Sequence, residues 1–111
     1  MIGFHSDLPI WLYNQPVDMR MQFDGLAALA QTKVGRRANS GELFVFINRK
    51  RTHIKLLYYQ QGGYCLWAKR LERGTFHTVK GDEPNIMLDW PQLQCLIGGI
   101  KWQGKSRNTR L

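Results

Sequence analysis

The sequence predicts an α+β fold, an antiparallel β-meander with two helices packed on it, and three observations lead there. Residues 42–48, 52–60 and 64–71 are each rich in β-branched and aromatic side chains and are separated only by short polar turns, as hairpin-connected strands are. Residues 19–34 place Met19, Phe23, Leu26, Ala27, Ala30 and Val34 at steps of three and four, the period of a helix with one apolar stripe. Residues 90–97 follow Asp89 and carry Pro91 in the first turn, a helix-start pattern. One apolar face per element is what a sheet with helices laid on it requires.

Taken in order, IWLY at residues 10–13 reads as a first strand, ended by Asn14-Gln15-Pro16. Asp18 is the expected N-cap of the first helix and Gly35 its C-cap. Gly25, inside that helix at a cost of about 1 kcal/mol relative to alanine, suggests close approach of another backbone. GRRANSG at residues 35–41 is a polar loop. In the next strand Leu43, Val45 and Ile47 face one way and Phe44 and Phe46 the other. Such a strand is either central and covered on both sides, or has one face open to a partner. A fourth meander strand is expected at 74–79, a short one at 86–88, and the second helix ends at Gly98-Gly99. The chain reads as a single domain, 1–102, with a basic disordered tail, 103–111.

Composition excludes several classes. The chain has 111 residues, 43% of them hydrophobic, with four Trp, four Tyr and five Phe, too apolar for disorder. No run approaches the roughly 18 apolar residues of a membrane span. The N-terminus lacks a positively charged leader and carries Asp7, so no secretory signal is read and a cytoplasmic location is expected. Cys65 and Cys95 sit among apolar neighbours, as reduced core thiols rather than a disulfide.

Charge is informative once mapped. Residues 36–80 hold ten of the sixteen Lys and Arg against only Glu42 and Glu72, a surplus of eight, which equals the net charge of the whole chain. Segregation of this kind favours a polyanionic partner. The stretch NRKRTHIK (48–55) sets three cations at the junction of the two most apolar segments. Arg49, Lys50, Arg51 and Lys55, joined by Lys69, Arg70 and Arg73 of the neighbouring strand, are the candidate nucleic-acid-binding residues. Tyr58, Tyr59, Tyr64 and Trp67 lie between them as stacking surfaces for unpaired bases. The other reading of the same residues is a solvated hairpin tip whose strand-edge cations prevent aggregation.

Other constellations carry less. Asp18 and Asp24 as metal ligands would have to converge, yet six residues at about 100° each leave them about 120° apart on a helix, and Asp18 has a capping role to fill. His5, His53 and His77 lack metal-ligand spacing. Neither cysteine has a histidine near it in sequence, and no phosphate-cradling glycine loop or GxSxG is present. No catalytic residue, metal ligand or cofactor is therefore assigned, and a non-enzymatic protein is expected. Phe44, Phe46, Trp67, Trp90 and Trp102 form either a partner-binding surface or an ordinary core.

The order of PVDMRMQFDGLAAL (16–29), ELFVFINRKRTHIKLLYYQQGGYCLWAKRLERGTF (42–76) and the late LIGGIKW resembles the small TnpB-type (Orf2-like) accessory protein of the insertion sequence 66 family of bacterial transposable elements. The resemblance covers about residues 8–102. It differs at Gln60, where family members often carry an acid, and at Ala68, where they often carry an aromatic. The resemblance implies an accessory role in DNA transposition beside a separate transposase, which would be the protein partner; that DNA is held by its phosphates is the expectation from the segregated charge. A protein–protein adaptor that stabilises the transposase without touching DNA, and a homodimer, stay open.

Overall fold

The computed structural model describes residues 7–77 and 81–100. Five strands form one sheet: β1 (Ile10–Tyr13), β2 (Leu43–Ile47), β3 (His53–Gln60), β4 (Gly63–Arg70) and β5 (Asn85–Leu88), in the spatial order β4-β3-β2-β1-β5. The neighbours are antiparallel except β1 and β2, which run parallel with Ile10 opposite Leu43 and Leu12 opposite Val45. A parallel pair needs a crossover, and α1 (Phe23–Leu29), with the π-helical turn Ala30–Val34 that continues it, supplies one. The three meander strands thus match their expected positions, while β1 joins them through a β-α-β unit. The expected strand at 74–79 does not form over residues 74–77, and residues 78 and 79 lie outside the described residues.

Alternation along β2 explains why both of its faces are apolar. Leu43, Val45 and Ile47 pack with Ile10, Leu12, Ile54, Leu56 and Phe76 against α2 (Trp90–Ile97), through Leu93 and Leu96. Phe44 and Phe46 point the other way, with Leu57, toward Leu26 and Ala30 of the first helix. All five β2 residues are buried. Each fully buried Phe contributes on the order of 2–3 kcal/mol of transfer free energy, so β2 is the keel of the domain. Neither face of this strand is left for a partner. Trp67 and Trp90 are half-buried against the α2-side core, and Trp102 lies outside the described residues.

The two helix N-termini divide into one expectation met and one corrected. Asp89 accepts from the Gln92 backbone at 2.8 Å while the Gln92 side chain accepts from the Asp89 N–H at 2.8 Å, a reciprocal capping box. Asp18, by contrast, does not cap α1. The helix begins at Phe23, behind Gln22, which makes no side-chain cap. Asp18 instead accepts from the Arg20 guanidinium through both oxygens, Nε to Oδ1 at 3.1 Å and Nη2 to Oδ2 at 2.7 Å, and from the Arg20 backbone N–H at 2.9 Å. Those bonds lower the Asp18 carboxyl to about 2. A Cβ on Gly25 would meet the Met21 side chain at 3.3 Å, so the crowding at that glycine comes from a flexible side chain and not from another backbone.

At the start of β2, Glu42 is buried and bound bidentately by Arg36, which also lies 5.4 Å from the centre of the Trp11 ring. The hydrogen-bonded guanidinium holds the Glu42 carboxyl below its ordinary value of 4.5. A carboxyl lowered in the folded state stabilises above its unfolded value, and that contribution fades as pH falls through the lowered one. Wild type is therefore expected to lose stability on acidification below about pH 4.5, and Glu42→Gln to show a flatter acid limb with a lower plateau at neutral pH. Denaturant midpoints of the two proteins across pH check it.

Candidate nucleic-acid interface

The turn between β2 and β3 is built by one side chain. Asn48 Oδ1 accepts from the Thr52 and His53 backbone N–H groups at 2.9 and 3.0 Å. Its amide nitrogen lies 3.1 Å from Thr52 Oγ1 and 3.3 Å from His53 Nδ1. The amide can only donate there, so His53 Nδ1 is the acceptor. The Arg51 N–H closes the turn on the Asn48 carbonyl at 3.0 Å. This side chain-to-backbone bonding is the reason asparagine favours turn starts, and it was the one available signal for a residue that sequence reasoning passed over.

Arg51 then adopts φ 57°, a left-handed conformation that costs an L-residue roughly 1–2 kcal/mol and that glycine adopts freely. A cation is thus held where glycine would fold better. Arg51→Gly is expected to raise stability by about 1 kcal/mol in chemical denaturation, and a fall would refute the strain. The neighbouring hairpin, by contrast, turns through Gln61 (φ 51°) and Gly62 (φ 82°), the two positive φ angles of a two-residue hairpin loop.

Five of the seven sequence-predicted cations gather at this end of the sheet. Arg49, Lys50 and Arg51 occupy the turn and are exposed. Arg70, also exposed, lies in register with His53, the first residue of β3. Arg73 follows in a segment tied back to the turn, where the Leu71 and Phe76 N–H groups donate to the Thr52 and Arg51 carbonyls at 2.9 and 2.7 Å. Phe76, fully buried, anchors that segment. Among the described residues none of these five has a carboxylate partner; the ion pairs found are Arg20–Asp18 and Arg36–Glu42.

The other two cations are withdrawn from this end. Lys55 is 9% exposed and its ammonium donates to the Met19 and Met21 carbonyls, both at 2.8 Å. Lys69 points to the opposite face from Arg70, as neighbours on a strand must, and donates to the Ile97 carbonyl at 2.8 Å. There it satisfies one of the open carbonyls at the α2 C-terminus. The tyrosines are distant too. Tyr59 and Tyr64 form an edge-to-face pair at 5.1 Å, six residues along β3 from His53, which is about 20 Å at strand spacing. Tyr58 and Trp67 pack on the α2 side.

Across the same end the charge changes sign. Asn14, just after β1, donates from its side chain to the Gly81 and Glu83 carbonyls at 3.1 and 3.2 Å, which sets Asp82 and Glu83, both exposed, beside β1 and β5. The edge is therefore basic over β2-β3-β4 and acidic past β1. Among the described residues no group of three or more His, Cys, Asp or Glu is placed to hold a metal ion. No helix of the described residues is long and apolar enough to cross a membrane.

With this geometry in hand, the relatives are informative. The IS66 Orf2-like protein family matches residues 8–107, nearly the whole chain. The chain belongs to the IS66 Orf2-like family. Its relatives include the uncharacterised protein y4hO of Sinorhizobium fredii, 31% identical over 110 residues, which covers 99% of this chain and 96% of that protein. Another is the uncharacterised protein y4jC of the same organism, 28% identical over 102 residues, 92% of this chain and 87% of that protein. No solved structure matches the chain. Membership in the IS66 Orf2-like family implies an accessory role in transposition and suggests association with the element's transposase.

Proposed function

We propose that this IS66 Orf2-like protein assists transposition by gripping nucleic acid through its phosphates at the β2–β3 end of the sheet while the element's transposase does the chemistry. The observation that carries the reading is the gathering of Arg49, Lys50, Arg51, Arg70 and Arg73 at one end, exposed and without carboxylate partners among the described residues. Unneutralised cations at this density exchange counterions for phosphates. The acidic loop beside β1 repels a polyanion, so the strand runs over β2, β3 and β4 and away from β5. Contacts of this type give affinity without sequence preference.

The test is a titration of labelled duplex and single-stranded DNA over a range of salt concentrations. Five phosphate contacts on duplex DNA correspond to a slope of log affinity against log salt of about −4.5. Absence of binding at low salt, or a slope near zero, refutes the grip. Co-purification with the transposase that survives both nuclease and loss of the turn cations would assign the basic end to an acidic protein surface instead.

A further inference from the structure

The turn at residues 48–51 does more than project charge: it forms one wall of a cleft of about 140 Å³, lined on the other side by Tyr13, Asn14, Gln15 and Pro16. The cleft opens beyond the carboxyl ends of β1 and β2, the parallel pair, where open α/β sheets commonly bind ligands. Its amide side chains are largely committed elsewhere. Asn14 donates to Gly81 and Glu83, and Asn48 is bonded to Thr52 and His53. Gln15, Arg49 and Arg51 line the cleft without such side-chain bonds among the described residues, and two arginines at one cleft favour an anion. The volume holds about five waters and is well short of the roughly 300 Å³ that encloses a small molecule. It suits one phosphoryl group.

We propose that this cleft binds a phosphate monoester, the group found at the end of a nucleic-acid strand or on a free nucleotide. A monoester carries about −1.5 to −2 charge at pH 7, against one for each internal phosphodiester, so paired guanidiniums favour the terminal group. The inference rests on the proposed phosphate grip and shares Arg49 and Arg51 with it, yet is separable from it: Gln15 lines the cleft and takes no part in the grip.

The test has two arms. In the first, a labelled single strand is compared with and without a 5′-phosphate at fixed salt; the phosphorylated strand is expected to bind about tenfold more tightly, because the same two guanidiniums then meet a group of about −1.5 to −2 charge in place of one of −1. Gln15→Trp, which fills the cleft and alters no charge, removes the preference and leaves the salt slope unchanged. The double variant Arg49→Lys, Arg51→Lys also removes it, since lysine keeps the charge but cannot bind an anion bidentately. In the second arm a nucleoside 5′-monophosphate is titrated alone while the backbone amide signals of residues 14, 15 and 48–51 are followed. A strand-end preference without amide shifts at comparable concentration assigns the cleft to strand ends; amide shifts without a preference assign it to free nucleotide. Equal affinity of both strands together with unmoved amides overturns the inference, as does a preference that survives Gln15→Trp. Failure of either strand to bind refutes the phosphate grip, and the amide shifts alone then decide the cleft.

Discussion

Replacing Arg49, Lys50 and Arg51 together by alanine is expected to weaken DNA binding by a few hundred-fold near 0.1 M salt while the fold survives. The size follows from counterion release. Each lost phosphate contact takes about 0.9 from the slope of log affinity against log salt, hence about 0.9 log units at 0.1 M. Three contacts give roughly 500-fold, and the slope falls from about −4.5 to about −2, the remainder owed to Arg70 and Arg73. The three side chains are exposed, and the turn is held by Asn48 and by backbone hydrogen bonds. The change in folding stability should therefore stay within about 0.5 kcal/mol, the ordinary range for surface positions. Fluorescence anisotropy at several salt concentrations, beside a denaturation curve, separates the two effects. A variant that keeps the full slope would mean that the turn meets no phosphates. A variant that unfolds would mean that the cations support the hairpin itself.

Local chemistry made most of this fold legible before any coordinates. IWLY, LFVFI and the two apolar runs that follow read as strands because β-branched and aromatic residues fill a pleated surface, and Asp89 with Pro91 spells a helix start. What escaped was non-local. Nothing in IWLY says that it pairs parallel to β2, because pairing direction depends on where the first helix carries the chain. Asp18 has the chemistry of a cap, but a nearer guanidinium, Arg20, claimed both of its oxygens. The candidate site divides in the same way. Arg49, Lys50 and Arg51 are fixed together by a turn of four residues, so their convergence was readable. Lys69 and Arg70, by contrast, had to diverge by strand alternation alone. The fate of Lys55 was not readable, because its acceptors, Met19 and Met21, lie 36 and 34 residues away in sequence.

That lysine gives the second large effect, and it is one of stability. Lys55 lies in register between Phe46 of β2 and Ala68 of β4 on the sheet face that packs against α1. Its four-carbon stem covers that surface while the ammonium reaches the chain entering α1, as long cationic side chains do at an apolar boundary. Lys55→Met keeps the stem and removes both charge-assisted bonds. With each such bond worth about 1.5–3 kcal/mol, and some recovered by water reaching the two carbonyls, the expected loss is about 3 kcal/mol. Faster hydrogen exchange in residues 19–26 should accompany it, because the bonds that hold the helix entrance to β3 are gone. Its salt slope for DNA should match wild type. Arg70→Ala should do the reverse, leaving stability within about 0.5 kcal/mol and lowering the slope by about 0.9. Two cations that look alike in sequence are thus separated by what their nitrogens touch: a buried lysine that gives two of its three N–H donors to the protein's own backbone is withdrawn from a phosphate in solution. A Lys55→Met protein of normal stability with a shallower slope would invert that assignment.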